Sequence, residues 1–225
     1  MAGLTVLDDH SRFSLVLDAC ADQRAETVQT AMIAAFRRCG LPAAILTDNG
    51  PPWGACAEQS WTALSLWLVR LGINVRHGRA HHPQTQGKDE RFHRTLHFEL
   101  LRHINFTSLE HCQREFDQFR DRYNFERPHD ALGLDSPGSR YRLSPIPFPE
   151  TLPPIEYPAE LEVRKVQSDG RLSYRGHEFR VSHALRGLPV ALRPVPETDW
   201  QREVLFCHQV ITRIDLNRTG VNASN

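Results

Sequence analysis

The sequence predicts an α/β domain followed by a small all-β module. Three observations carry that reading. From Leu4 to about Tyr141, apolar runs of strand length alternate with stretches whose apolar residues recur at helical spacing. Between Ser144 and Pro158, six prolines in fifteen residues give an extended, stiff connector. Beyond the connector come only short β-type runs separated by Gly-containing turns. The expected division is therefore a first domain over 1–143, a connector over 144–158, a β module over 159–216 and a frayed tail over 217–225.

Each element follows from local pattern. Leu4–Leu7 and Ser14–Leu17 read as two strands joined by the polar turn Asp8-Asp9-His10-Ser11, in which Asp8 and Asp9 are turn formers. Asp22 is placed to cap a helix running to Cys39, with Val28, Met32, Ala35, Phe36 and Cys39 on one face and Gly40 and Pro42 ending it. Ala43–Thr47 is a strand. Ser60 is placed to cap a second helix that turns Trp61, Leu64, Leu68 and Leu71 inward before Gly72. Ile73–Val75 makes a short strand, and a Gly-bounded loop runs from Gly78 to Gly87. Lys88–His103 is helical, with Phe92, Leu96 and Leu100 as its apolar stripe. Thr107-Ser-Leu-Glu110 fits a capping box ahead of a helix carrying Leu109, Cys112, Phe116, Phe119 and Tyr123. In the last module, strands are expected at Glu162–Gln167, Arg171–Tyr174, His177–Val181, Val190–Pro194 and Val204–His208, a set suited to a small β-barrel.

Composition bounds the function. With 225 residues, the chain can bury one good core and a small second domain. Its 24% charged and 40% hydrophobic residues are ordinary for a soluble globular protein. No apolar run approaches the roughly 18 residues of a membrane span and no signal peptide is evident, so a cytoplasmic location without membrane insertion is expected. The odd number of cysteines, Cys20, Cys39, Cys56, Cys112 and Cys207, scattered and without Cys-x-x-Cys, reads as reduced thiols. Twenty-seven basic against 27 acidic residues argue against an indiscriminate nucleic-acid binder. Charge is uneven, however: from Arg70 to Arg102 there are seven Lys/Arg against three acids, with five histidines. That stretch is either a phosphate-tracking surface or a solvated helix face.

Two acids stand out by position. Asp48, in Thr47-Asp48-Asn49-Gly50, follows a buried-type strand, and an acid at such a strand end is held rigidly beside a crevice. Asn-Gly also favours a hairpin turn, but Pro51-Pro52 directly after it supports a loop mouth instead. Glu90 lies in the first helical turn after the polar stretch His81-His82-Pro83-Gln84-Thr85-Gln86-Gly87. Carboxylates from separate elements, completed by water and phosphate oxygens, suit metal-assisted phosphoryl chemistry. Glu90 and Arg94, four apart, are also the pattern of an intrahelical ion pair. His93 and His97 have the spacing of zinc ligands, with no third ligand evident nearby in the sequence.

The ordered set Leu4-Thr-Val-Leu-Asp-Asp-His-Ser-Arg-Phe13, Thr47-Asp-Asn-Gly50, His82-Pro-Gln-Thr-Gln-Gly-Lys-Asp-Glu-Arg-Phe92 and Tyr123-Asn-Phe-Glu-Arg-Pro-His129 resembles the integrase core of bacterial insertion-sequence (DDE-type) transposases, relatives of retroviral integrases. Each piece alone is weak; the order makes the set specific. The resemblance implies a ribonuclease H-like mixed sheet with flanking helices, and three acids that bind two Mg2+ or Mn2+ ions. Asp48 matches the second acid and Glu90 the third. The first acid belongs to a strand preceding the one at Leu4, and Met1-Ala2-Gly3 leaves no room for it. The sequence is thus expected to be an N-terminally shortened copy with its first strand missing and two of three acids present.

The resemblance further implies a polynucleotidyl transferase that cuts transposon ends with water and joins the freed 3′-hydroxyls to target DNA. Its partners would be double-stranded DNA, both transposon ends and target, and further copies of itself in a homo-oligomer. Gln84 and Gln86 would approach DNA, and Lys88, Arg91 and Arg94 are candidate phosphate contacts. Arg127-Pro128-His129 would buttress the fold, and the β module would bind DNA or serve assembly. Loss of the first strand would unpair buried backbone groups at about 1 to 3 kcal/mol each, so the chain alone is expected to be poorly stable and inactive. Two alternatives stand beside this: a non-catalytic remnant that binds DNA or full-length transposase as an inhibitor, and a nuclease of the same fold.

Overall fold

The computed structural model describes residues 2–48, 50–54, 61–78 and 87–217. They fall into two compact units that interleave in sequence, Met1–Leu41 with Gly78–Phe148, and Pro42–His77 with Pro149–Asn225.

The first unit begins with a hairpin. Strands β1 (Ala2–Leu7) and β2 (Ser14–Cys20) pair antiparallel, Val6 opposite Val16 and Thr5 opposite Leu17. The turn is built by Asp8, whose Oδ2 accepts from the Ser11 N–H and hydroxyl at 2.7 and 2.6 Å, as a turn-forming aspartate should. Helix α1 (Ala25–Cys39) buries Val28, Met32, Ala35, Phe36 and Cys39, the face expected from spacing. Its cap differs from expectation. Arg24 is the N-cap residue, and Asp22, two residues earlier, accepts from the Arg24 N–H and the Thr27 hydroxyl. Gly40 closes the helix at φ 77°, where a Cβ would lie 2.7 Å from the Ser144 carbonyl oxygen, so a glycine is required.

Helices α3 (Gly87–Leu96) and α4 (Leu109–Asp121) supply most of this unit's core, and each continues into a π-helical turn, His97–Leu101 and Arg122–Glu126. Phe92, Leu96 and Leu100 meet Leu17 of β2 and Cys112, Phe116, Phe119 and Tyr123 in one cluster. The cap of α4 is Ser108, accepting from the His111 N–H at 3.1 Å, one residue later than the expected Thr107. Side-chain amides of the α4 region then serve β2 directly. Gln113 takes the Ala19 N–H and gives to the Leu17 carbonyl, while Asn124 takes the Ser14 N–H and gives to its carbonyl. Those bonds satisfy backbone groups that a neighbouring strand would otherwise pair. Arg127-Pro128-His129 buttresses the same region: Arg127 pairs with Glu99, and the His129 ring stands edge-on to Tyr123 at 4.7 Å.

In the second unit, β3 (Ala44–Thr47) and β4 (Asn74–His77) form a parallel pair connected through α2 (Ala63–Arg70). Thr62 and Ser65 make a reciprocal capping box at the start of α2; the expected cap, Ser60, lies outside the described residues. Leu64, Leu66, Leu68 and Val69 are buried. Among the described residues β3 has β4 as its one strand neighbour, and Leu46 is left 46% exposed.

The strand-rich C-terminal part of this unit holds β5 (Glu162–Lys165), β6 (Arg171–Tyr174), β7 (His177–Arg180), β8 (Pro189–Pro194), β9 (Gln201–Phe206) and β10 (Gln209–Asp215). They form an antiparallel sheet in the order β10-β9-β8-β5 and the hairpin β6–β7. Val166 bonds to Leu188 and Gln167 to Arg171, so the chain after β5 passes from one to the other. Gly170, at φ 82°, lies so close to His183 that a Cβ would meet its nitrogen at 2.7 Å. Strand β10 has no counterpart in the sequence reading. The turn before it is Cys207-His208, with Cys207 itself at φ 51° and no glycine or asparagine to announce it.

Candidate active site

The end of the parallel pair carries the first candidate acid, Asp48. Thr47 and His77 are register partners, and Asp48 follows Thr47 at once. The carboxylate of Asp48 is exposed, and its Oδ1 accepts from the Gly50 N–H at 3.1 Å. Because β3 and β4 pair parallel, Asp48 does not lead into a hairpin between them; Asn49 lies outside the described residues. Parallel α/β pairs place ligands outside the carboxyl ends of their strands, which is where Asp48 is.

The first turn of α3, in the other unit, carries the second candidate acid, Glu90. Three acids lie near it, and two are committed. Asp89 meets His93 Nε2 at 3.2 Å, and Asp9 of the hairpin turn holds the Lys88 ammonium. Glu90 is exposed, and no ion pair or hydrogen bond engages its carboxylate among the described residues. The expected alternative, a Glu90–Arg94 pair, is thus not formed; Arg91 and Arg94 point outward, while Phe92 and Leu96 are buried on the opposite face.

Burial and hydrogen bonding shift the groups packed around α3. The Asp89 carboxylate raises the pKa of His93, against a smaller opposing effect of burial, and the His93 ring also meets the Thr5 hydroxyl at 3.0 Å. Burial pushes the Tyr123 hydroxyl up to about 12 and pushes His129 down, the latter helped by Arg127. Those two rings pack against each other.

Of the residues singled out in the sequence, Asp48 belongs to one compact unit and Glu90, Lys88, Arg91 and Arg94 to the other, while Gln84 and Gln86 lie outside the described residues. Lys88 is less available than its sequence position implied, since Asp9 engages it by both carboxylate and carbonyl. The donor chemistry of Asp48 and of Glu90 fits Mg2+ or Mn2+: each is a hard oxygen ligand, exposed and without a competing cation among the described residues. The Thr47–His77 couple was missed in the sequence; the two residues close four-residue strands, AILT and NVRH, and only the first of these is apolar.

Comparison with known proteins places these features. Family models described as Integrase core domain match residues 2–83 and 71–137, and one described as IS481 family transposase, C-terminal domain, matches 161–222. The Insertion element IS407 uncharacterized 31.7 kDa protein of Burkholderia multivorans (strain ATCC 17616 / 249) is 30% identical over 134 residues, 60% of this chain. The chain spans 46% of that relative's length. Among solved structures, a chain of the simian T-cell lymphotropic virus intasome in complex with PP2A regulatory subunit B56 gamma superposes with a TM-score of 0.50 at 15% identity, covering 95% of this chain and 72% of that one. The catalytic core domain of BIV integrase gives 0.47 at 20% identity, covering 60% and 81%. The fold is the ribonuclease H-like α/β class followed by a strand-rich module.

Proposed function

Because the chain belongs to the integrase-core family of insertion-element proteins, we propose that it acts on DNA ends and target DNA in metal-dependent strand cleavage and strand transfer, as a homo-oligomer. In this reading residues 1–143 are the catalytic core, 144–158 the connector and 159–216 a module for DNA binding or assembly. Asp48 and Glu90 hold Mg2+ or Mn2+ beside the scissile phosphodiester. Such an ion supplies positive charge that stabilises the attacking and leaving oxygens of an in-line displacement. Arg91 and Arg94 contact the phosphate backbone, and Lys88 joins them once a phosphate displaces Asp9. Gln84 and Gln86, which precede α3 in the sequence, approach the DNA.

The observation that carries the reading is the state of the acids. Neighbouring Asp89 and Asp9 are bound to His93 and Lys88, whereas Glu90 and Asp48 are exposed without a cationic partner among the described residues. An exposed carboxylate on a rigid element is what metal binding requires.

These 225 residues hold two of the three acids that the family resemblance calls for. The test is cleavage and strand transfer of labelled duplexes in Mg2+ and Mn2+, with this chain and with the chain translated from any in-frame upstream codons. In the extended protein, Asp48→Asn and Glu90→Gln each abolish both steps, by roughly a thousandfold or more. Equal activity in either variant would remove that acid from the site, and cleavage without transfer would make the protein a nuclease.

A further inference from the structure

Thr47 and His77 carry a feature that the two acids leave unexplained. They are direct partners at the ends of β3 and β4, one residue before Asp48. Thr47 is buried, at 6% exposure, and its Oγ1 lies 3.2 Å from His77 Nδ1. Trp61 stands edge-on to the imidazole, 5.5 Å between centroids at 83°. The other ring nitrogen, Nε2, is buried with no hydrogen-bond partner among the described residues.

Buried polar atoms without a partner are rare in folded proteins, and a ligand is one of the few things that explains them. A neutral imidazole has one donor and one acceptor nitrogen, and the bond made by one sets the role of the other. A threonine hydroxyl donating to Nδ1 leaves the ring proton on Nε2. With Thr47 as the donor, the ring would present an oriented N–H at the carboxyl end of a parallel strand pair, beside an exposed acid suited to a cation.

We propose that His77 is a substrate-binding residue whose Nε2–H donates to a phosphodiester oxygen of DNA bound at Asp48, with Thr47 as the positioning residue that selects the tautomer. The proposal rests on the DNA reading above and adds a contact on the same strand pair as Asp48.

The two nitrogens allow the structural and ligand roles to be separated. An asparagine amide reaches about as far as Nδ1 and keeps the Thr47 bond, whereas a glutamine amide reaches about as far as Nε2. Binding of a fluorescein-labelled DNA duplex in Mg2+, followed by anisotropy, is compared with thermal unfolding for His77→Asn and His77→Gln. The expected result is an unfolding temperature near that of the parent for His77→Asn with duplex binding roughly tenfold weaker. His77→Gln binds within about threefold of the parent. In the unsubstituted chain, the imidazole 15N resonances report the Nε2–H tautomer and shift on addition of the duplex; Thr47→Val moves the proton toward Nδ1.

Parent-like binding in both variants, or 15N resonances that the duplex leaves unmoved, overturns the role of His77. If both variants fail to fold, the 15N titration of the unsubstituted chain decides. Failure here is distinct from failure of the DNA reading. If Asp48→Asn and Glu90→Gln lose activity while His77→Asn binds normally, only His77 falls; if the unsubstituted chain binds no duplex, both fall.

Discussion

Two glutamates in this chain show opposite uses of the same side chain. Glu203 of β9 accepts from Arg193 through one oxygen and from Arg213 through the other, two guanidinium forks on adjacent strands. The arginine hydrogen bonds hold its carboxyl below the usual range, Arg193 contributing most. Glu90, in the first turn of α3, has no such partner among the described residues. The strand-rich module consumes that charge internally, while α3 leaves its acid and Arg91 and Arg94 turned toward solvent. A carboxylate already holding two guanidiniums has little capacity left for a metal; an exposed one on a packed helix has all of it.

The largest effect expected of any substitution on this comparison comes from the buried face of α3. Phe92 is 1% exposed and stands edge-on to Tyr123 and Phe119 at 4.9 and 6.1 Å. Phe92→Ala should cost about 3 to 5 kcal/mol in urea unfolding, while Glu90→Ala, two residues away on the exposed face, should change stability by about 0.5 kcal/mol or less. A large loss in Glu90→Ala would mean that this acid is structural, and the contrast with Glu203 would collapse.

Glu203→Ala comes next. The carboxylate is covered by the arginine side chains themselves, and those are half exposed, so solvent screens part of the pairing. Removal should cost about 1 to 2 kcal/mol, measured as a shift in urea midpoint at pH 7. The sign with pH follows from the depressed pKa: the contribution is present above the unfolded value near 4.5 and is lost as pH falls through the folded value. The Glu203→Ala variant should therefore converge on the parent in acid. A gap that persists below that range would show that packing, not charge, accounts for the loss.

The periodic elements were legible in the sequence because burial writes itself at fixed spacing. All five residues expected on the inner face of α1 are buried, as are Phe92, Leu96 and Leu100. Helix starts were displaced by one or two residues, since Ser, Thr and Asp cluster near each one and only backbone geometry selects the cap: Arg24 over Asp22, Thr62 over Ser60, Ser108 over Thr107. Asp48 and Glu90 could be read from strand-end placement and the family motifs. Their surroundings could not. Lys88 is taken up by Asp9, 79 residues earlier in the chain, and His77 by Thr47, 30 residues earlier. Such pairings depend on tertiary register, which no local pattern encodes.

The smallest expected effect tests whether Asp89 is committed in the way that leaves Glu90 as the available acid. Asp89 raises the pKa of His93, so their pairing is fully present below the unfolded value near 6.5 and is lost as pH rises through the folded value. His129 behaves oppositely: burial lowers its pKa, so its contribution is present above 6.5 and lost as pH falls through the folded value. In the parent these trends oppose each other, and His208, also lowered by burial, follows His129. His93→Gln removes one of them. The variant should be less stable than the parent at pH 5.5 by about 0.5 kcal/mol or less, because both partners are half exposed. The difference should close by pH 8. A difference that is constant across that range would mean that Asp89 is not held by His93. Asp89 would then be as free to bind a metal as Glu90, and the assignment of the third acid would have to be decided between them by activity alone.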